Sequence, residues 1–119
     1  MAIPVVQIFD DDFLYRRLAP QSHLNPDGTV NSNAYKKDGK PDPEVSIDLS
    51  KLTSVGEALS RAPNGTFKIG ILLAGDARSL GLRVMHSPTE DNPAHSVIQG
   101  NESKANCRLL AEKTWLAAL

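Results

Sequence analysis

Phe67-Lys68-Ile69-Gly70-Ile71-Leu72-Leu73 is the stretch that decides the fold class, because its apolar residues recur at every second position. Side chains two residues apart lie on the same face of a β-strand, so this alternation predicts a strand. Val45-Ser46-Ile47-Asp48-Leu49 alternates in the same way and predicts a second strand. We expect both strands to belong to one sheet whose core face carries Ile47, Ile69 and Ile71.

Shorter segments extend this pattern along the chain. Residues 80–84 and 94–98 predict two further strands. Ser54 and Glu57 have the spacing of a capping box, in which the serine oxygen accepts from the amide three residues on, so a short helix is expected to follow and to end by Pro63. Asn64-Gly65 then predicts a turn.

The C-terminal segment changes to a helical period. Cys107, Leu110, Ala111 and Thr114 recur at helical spacing, which predicts an amphipathic helix from about Glu102 to Leu116 with these four side chains against the sheet and Asn101 as its N-cap. We therefore expect a single α+β domain over residues 1–119, with a short, mainly antiparallel sheet and the C-terminal helix packed on one face.

A long polar loop is predicted from about residue 20 to residue 43, where Pro, Gly, Asn, Asp and Lys are frequent. Within it, Asn25-Pro26-Asp27-Gly28 and Lys37-Asp38-Gly39-Lys40 each predict a turn, because glycine adopts positive φ without steric cost. Loops of this length are uncommon in compact domains, so the segment is either mobile or held in place for a purpose.

The charges of the chain nearly balance, with 13 Lys and Arg against 14 Asp and Glu among 119 residues. A basic surface is the usual basis of nucleic-acid binding, so we expect no nucleic-acid partner. Cys107 is the one cysteine, which excludes an internal disulfide and suits a reducing cytoplasm. Residues 1–9 have no basic residue ahead of their apolar run, which predicts neither a signal peptide nor a membrane span. We expect a soluble cytoplasmic protein.

Four strings of residues are together similar to those of a known family: Leu14-Tyr15-Arg16-Arg17, Asn31-Ser32-Asn33-Ala34-Tyr35-Lys36, Val45-Ser46-Ile47-Asp48 and Asn92-Pro93-Ala94-His95-Ser96-Val97-Ile98. The chain resembles, from Phe13 to Leu110, a family of small bacterial proteins of uncharacterised function. The resemblance implies a bacterial origin and one domain. None of the strings is a catalytic signature, so the resemblance transfers neither an activity nor a functional residue.

Three histidines, His23, His86 and His95, are candidates for acid–base or metal chemistry, because imidazole changes charge near neutral pH. If the strands around residues 88–93 pair as a hairpin, His86 and His95 could share a metal with His23, Glu90 or Asp91. The plainer interpretation is that each histidine caps a turn or is half-exposed. We expect neither a metal nor a cofactor.

Arg16 and Arg17 are the candidate anion-binding residues. If they lie in a strand, one of the two faces the core and needs a partner, which Asp48 or one of the aspartates 10–12 could supply as a structural ion pair. Alternatively, the guanidinium group holds a phosphate or carboxylate ligand. Side chains of Ser32, Lys36, Ser46 and His95 would complete such a site if the long loop folded over the sheet.

Two functions fit these residues. The first is a binding or accessory protein, which presents its sheet, C-terminal helix and polar loop to a protein partner or to a second copy in a homo-oligomer. Trp115 is then either a core anchor or part of a contact with another subunit. The alternative is a small enzyme acting on a phosphate-bearing small molecule such as a nucleotide, or on RNA. Its anion would be held by Arg16, Arg17, Lys36 and Ser46, with His95 or His23 as general acid or base. Convergence of these groups in one pocket would favour the enzyme, and their dispersal would favour the binding protein.

Overall fold

Strands and short helices alternate along the chain in a computed structural model that describes residues 3–63 and 66–118. The strands are β1 (Phe13–Leu18), β2 (Lys36–Lys37), β3 (Lys40–Pro41), β4 (Glu44–Leu49), β5 (Lys68–Leu73), β6 (Arg83–His86), β7 (His95–Gln99) and β8 (Trp115–Leu116). The α-helices are α1 (Pro20–His23), α2 (Val55–Ser60), α3 (Ala74–Arg78) and α4 (Lys104–Glu112), and 3₁₀ helices span Ser32–Tyr35 and Ser50–Leu52. The turn expected at Asn64-Gly65 lies outside the described residues.

Six of the strands form one sheet in the order β6-β7-β4-β1-β5-β8, and every neighbouring pair is antiparallel. The strands β2 and β3 form a separate hairpin. With α4 against the sheet, the α+β class and the mainly antiparallel sheet are confirmed. Within the two described ranges, no helix has the length and apolar character needed to cross a membrane.

The main core lies on one face of the sheet, which we call the inner face. It carries Leu14, Ile47, Leu72 and Ile98, which pack with residues of α4 and of the 3₁₀ helix Ser32–Tyr35. Since successive side chains of a strand alternate between faces, the registers of the ladders assign every other strand residue to an inner or an outer position. The opposite surface of the sheet is the outer face.

The expectation that Ile69 and Ile71 share a core face with Ile47 is wrong. The ladder between β1 and β5 pairs Ile71 with Tyr15, which places both isoleucines of β5 on the outer face. Ile69 is nevertheless buried, because α2 packs over β1 and β5 on that side. The strand is therefore covered on both faces near Ile69, and its alternation alone does not distinguish the larger core from the smaller one.

Helix α4 is shorter than the predicted helix at both ends. It buries Cys107, Leu110 and Ala111 as expected. Its N-cap is Ser103, whose side chain accepts from the Asn106 amide, whereas the expected cap Asn101 is buried elsewhere. The chain leaves the helix after Glu112 and enters β8, so Trp115 lies in an edge strand rather than in the helix.

The predicted polar loop contains α1, a 3₁₀ helix and the hairpin of β2 and β3. Both predicted turns are present: the Gly28 amide donates to the Asn25 carbonyl at 2.9 Å, and Asp38 and Gly39 have φ of 54° and 78°. Tyr35 anchors the loop, because its fully buried hydroxyl lies 2.6 Å from Thr114 Oγ1. Burial raises the pKa of Tyr35.

Candidate functional site

The two candidate arginines lie on opposite sides of the sheet, because they are consecutive residues of β1. Arg16 shares the inner side with Leu14 and Leu18, whereas Arg17 faces the outer side. The residues assigned to one anion site by sequence are thus divided between two places.

Asp48 is the centre of the outer group and is only 1% exposed. Its Oδ2 accepts from Arg17 Nη1 at 3.1 Å, and its Oδ1 accepts from Asn92 Nδ2 at 2.8 Å. A second guanidinium group follows α2, with Arg61 Nη1 3.8 Å from Asp48 Oδ2. The ion pair between a β1 arginine and Asp48, one of the alternatives drawn from the sequence, is therefore formed by Arg17.

Sequence reasoning missed two members of this group, Asn92 and Arg61. Asn92 lies in the connection between β6 and β7, and its amide group donates to Asp48 on β4. Arg61 lies one helical turn after Glu57, whose carboxylate is 3.5 Å from Arg61 Nη2. A buried carboxylate such as that of Asp48 needs several hydrogen-bond partners, and this need is the one indication that further members exist. The sequence does not show which distant residues supply them.

His95 lies beside Asp48 on the outer face, since the ladder between β4 and β7 pairs the two residues. Its Nδ1 is 2.8 Å from the Ser87 carbonyl oxygen, and its Nε2 is 3.4 Å from Ser46 Oγ. A carbonyl oxygen only accepts, so Nδ1 carries the proton of the neutral ring and Nε2 is the acceptor. The hydroxyl of Ser46 can therefore donate to His95, as in serine–histidine pairs.

Arg16 bonds to backbone carbonyls on the inner side. Its Nε donates to the Ala34 carbonyl and its Nη1 to the Ser46 carbonyl, both at 3.0 Å. The ladder between β1 and β4 ends at Tyr15 and Asp48, so the guanidinium group continues the connection between these strands by side-chain bonds. No carboxylate of the described ranges lies within 4.0 Å of it. Burial lowers the pKa of Arg16.

His23 lies near Arg16 and is held in its neutral form. Its Nδ1 accepts from the Ala19 amide at 3.0 Å, which an imidazolium cannot do. Burial lowers the pKa of His23 below its ordinary value of 6.5, and the positive charge of Arg16 lowers it further. Lys36 starts β2 and makes no side-chain hydrogen bond or ion pair with any described residue.

The hairpin of β6 and β7 does not bring His86 and His95 together. His86 pairs with Ser96, so it lies on the inner face, while His95 lies on the outer face. His86 Nδ1 accepts from the Val6 amide, and its Nε2 is 2.7 Å from the Pro93 carbonyl oxygen. Nowhere in residues 3–63 and 66–118 do three His, Cys, Asp or Glu side chains gather as a metal site would require.

None of the six predicted site residues lines a cleft of about 720 Å³ in the described part of the chain. One wall is the turn region from Asn25 to Ser32, and the other is formed by α4 and β8, including Arg108, Glu112 and Leu116. The sequence offered one signal for this region, the tryptophan at position 115.

Large apolar side chains are exposed at both ends of the outer face. Met85 on β6 and Phe13 and Trp115 at the other end are each 44% exposed. The rings of Phe13 and Trp115 pack edge to face, with centroids 5.8 Å apart. Helix α2, with six residues, packs over β1 and β5 between these ends.

Comparison of the chain with protein-family models, with curated proteins and with solved structures gave no match in any of the three. The function is therefore inferred from the geometry of the chain alone.

Proposed function

We propose that this chain is a binding or accessory protein that presents the outer face of its sheet to a protein partner. The observation that carries the proposal is the composition of that face, where Met85, Phe13 and Trp115 are exposed at its two ends and polar Ser46 and His95 lie between them.

This composition is typical of protein interfaces. Methionine, aromatic residues and arginine are enriched at contact surfaces relative to the rest of a protein surface. Arg83 adds an exposed guanidinium group beside Met85 on the same face. The rigid sheet fixes the positions of these side chains, which reduces the entropy lost on binding.

The distribution of the predicted catalytic residues also favours binding over catalysis. His23 and Arg16 lie on the inner side, and His95 and Arg17 on the outer side, so no single site holds both histidines. As part of the same proposal we place the protein in a reducing cytoplasm, which suits its single, buried and unpaired cysteine, Cys107. A bacterial origin is proposed from the family resemblance alone.

Affinity capture from cells of the source organism tests this function with two variants of matched chemistry. Met85→Asp introduces a charge on the outer face, whereas Val5→Asp introduces one on the segment beside the inner face, where the next amide bonds to His86. We expect the captured partner to fall about tenfold with Met85→Asp and to be unchanged with Val5→Asp. Equal capture by both variants, or no specific partner for the native chain, would contradict the proposal.

A second candidate function is an enzyme acting on a phosphate-bearing small molecule. It is supported by the pair of Ser46 and His95 with Arg17 beside Asp48, since the tautomer of His95 makes Nε2 the acceptor that faces the Ser46 hydroxyl. In this candidate Arg17 holds the anion, and His95 is the general base.

Titration with inorganic phosphate and with AMP, followed by NMR of the imidazole groups, tests the second candidate. We expect saturable shifts for His95 and none for His23, which serves as an internal control on the other side of the sheet. Absence of shifts at His95 with both ligands would exclude the phosphate site.

A further inference from the structure

Strand β8 is an edge of the sheet, and no described residue bonds to its outer hydrogen-bonding side. The Ala117 amide donates to the Ile69 carbonyl at 2.9 Å, and Trp115 pairs with Ile71, so these two residues direct their backbone groups toward β5. Along an antiparallel strand, alternate residues direct these groups to opposite sides. The amide and carbonyl of Leu116 therefore point away from β5, toward the free edge.

Helix α4 places two opposite charges beside this edge. Arg108 and Glu112 are one helical turn apart, both are exposed, and both line the cleft that Leu116 also lines. A pair of opposite charges on one helix is complementary to the same pair on an antiparallel copy, because each arginine then faces the other helix's glutamate.

We propose that two copies of this chain form a homodimer through β8, with a twofold axis perpendicular to the sheet at Leu116. The two Leu116 residues exchange both backbone hydrogen bonds, so the six-stranded sheets join into one continuous antiparallel sheet. The axis keeps both α4 helices on the inner side and sets them antiparallel, with Arg108 of each copy opposite Glu112 of the other. The proposal does not depend on the proposed function, which uses the outer face.

A second copy is the occupant that both features select. An unpaired amide and carbonyl on a strand edge require an extended backbone, which β8 of a second copy provides. The charges of Arg108 and Glu112, which line the cleft with Leu116, sum to zero and complement themselves under twofold rotation, whereas an acidic or a basic partner would meet one like charge. The dimer also covers an edge that would otherwise remain open to pairing with other chains.

Sedimentation equilibrium tests the dimer with two variants at one position. We expect the native chain to show twice its mass of 12.9 kDa. Leu116→Pro removes the outward amide while leaving the bonds of Trp115 and Ala117 with β5, so it is expected to be monomeric. Leu116→Ala keeps the amide and is the matched control, expected to remain dimeric. Circular dichroism establishes that both variants fold.

Exchange of the charges tests the geometry even if Leu116→Pro fails to fold. Arg108→Glu and Glu112→Arg each place like charges across the axis, so each is expected to raise the dimer Kd by about tenfold or more. An equimolar mixture of the two variants restores opposite charges, and we expect it to form a heterodimer of native affinity.

Four results would overturn the proposal. One is a native chain that stays monomeric up to about 1 mM, a concentration at which even weak specific pairs associate. Another is a dimer unaffected by Leu116→Pro and by both charge variants, which would use a different surface. The third is a mixture of Arg108→Glu and Glu112→Arg that associates no better than either variant alone. Binding of a different protein at β8 by a monomeric chain would likewise contradict a second copy as the occupant.

Discussion

Asp48 connects four segments of the chain through one carboxylate. Arg17 comes from β1, Arg61 follows α2, Asn92 precedes β7, and the carboxylate itself belongs to β4. The partners of this buried carboxylate are charged or amide groups. Removal of the carboxylate would leave these groups without its oxygen atoms as hydrogen-bond acceptors. The group thus joins the outer side of the sheet to α2 and to the turn before β7.

Replacing Asp48 by alanine is expected to lower the free energy of unfolding by about 3 kcal/mol, because Arg17 and Asn92 both lose their acceptor. Urea denaturation measures the change. Asp11→Ala is the control, since this exposed carboxylate has no side-chain partner among the described residues, and a change within about 0.5 kcal/mol is expected. A similar small change for Asp48→Ala would show that the ion pair does not stabilise the fold.

His23 makes the stability of the chain depend on pH. Its pKa in the folded state lies below 6.5, first because of burial and then because of Arg16, so between the two pKa values the unfolded chain binds more protons. The contribution of neutral His23 is complete above pH 6.5 and is lost as the pH falls through the folded pKa. We expect His23→Asn to lose less stability than the native chain between pH 7.5 and pH 5, as measured by urea denaturation at each pH.

The same pH series contains its own check. NMR titration of the native chain reports the His23 midpoint directly, and it should lie below the ordinary value of 6.5. Equal slopes of stability against pH for the native chain and His23→Asn, together with a midpoint at or above 6.5, would contradict a buried neutral imidazole.

At the scale of elements, local sequence patterns predicted whether a segment is a strand or a helix. They predicted less well which parts of the chain that segment packs against. The alternation in β4 and β5 and the helical spacing of Cys107, Leu110 and Ala111 are properties of short stretches, and the structure contains the corresponding elements. The face occupied by Ile69 depends instead on its register with Arg17 of β1, which is set by contacts between distant parts of the chain. For the same reason the sequence suggested Asp48 as a partner for the arginines but not Asn92 or Arg61.

Close contact between β5 and the end of α4 leaves no room for a side chain at Gly70. A Cβ atom there would lie 2.7 Å from Thr114 Cγ2 and 2.9 Å from Leu18 Cδ1. Thr114 cannot move freely, because its hydroxyl donates to the Leu110 carbonyl and lies against Tyr35. We therefore expect Gly70→Ala to destabilise the fold by about 1–3 kcal/mol in thermal unfolding.

Gly56 provides the matched control for Gly70. It lies in α2, and a Cβ atom there would have no neighbour within 4 Å. Alanine in a helix is favoured over glycine, so Gly56→Ala should stabilise the chain by about 0.5–1 kcal/mol. If Gly56→Ala destabilised the chain as much as Gly70→Ala, a steric clash of the added Cβ atom would not explain the loss of stability at Gly70.

For the whole molecule, the order of strands predicts a gradient of local stability. β1 pairs with β5 along its whole length and with β4 at Leu14 and Tyr15, whereas β8 pairs with β5 through two residues. In hydrogen exchange under native conditions, we expect amides of β1 to exchange only by global unfolding and the Ala117 amide to exchange by local opening. Equal protection of both would contradict this order, whereas added protection at Leu116 at high protein concentration would reflect pairing of two copies.

The central place of β1 also constrains how the chain folds. Among the described strands β1 comes first along the chain, yet its partners β4 and β5 lie beyond residue 43. β1 therefore emerges from the ribosome with both of its edges unsatisfied, and it cannot enter the sheet until β4 and β5 have followed. Contacts between residues far apart in sequence slow folding, so the nascent chain offers a prolonged opportunity for chaperones to bind this strand.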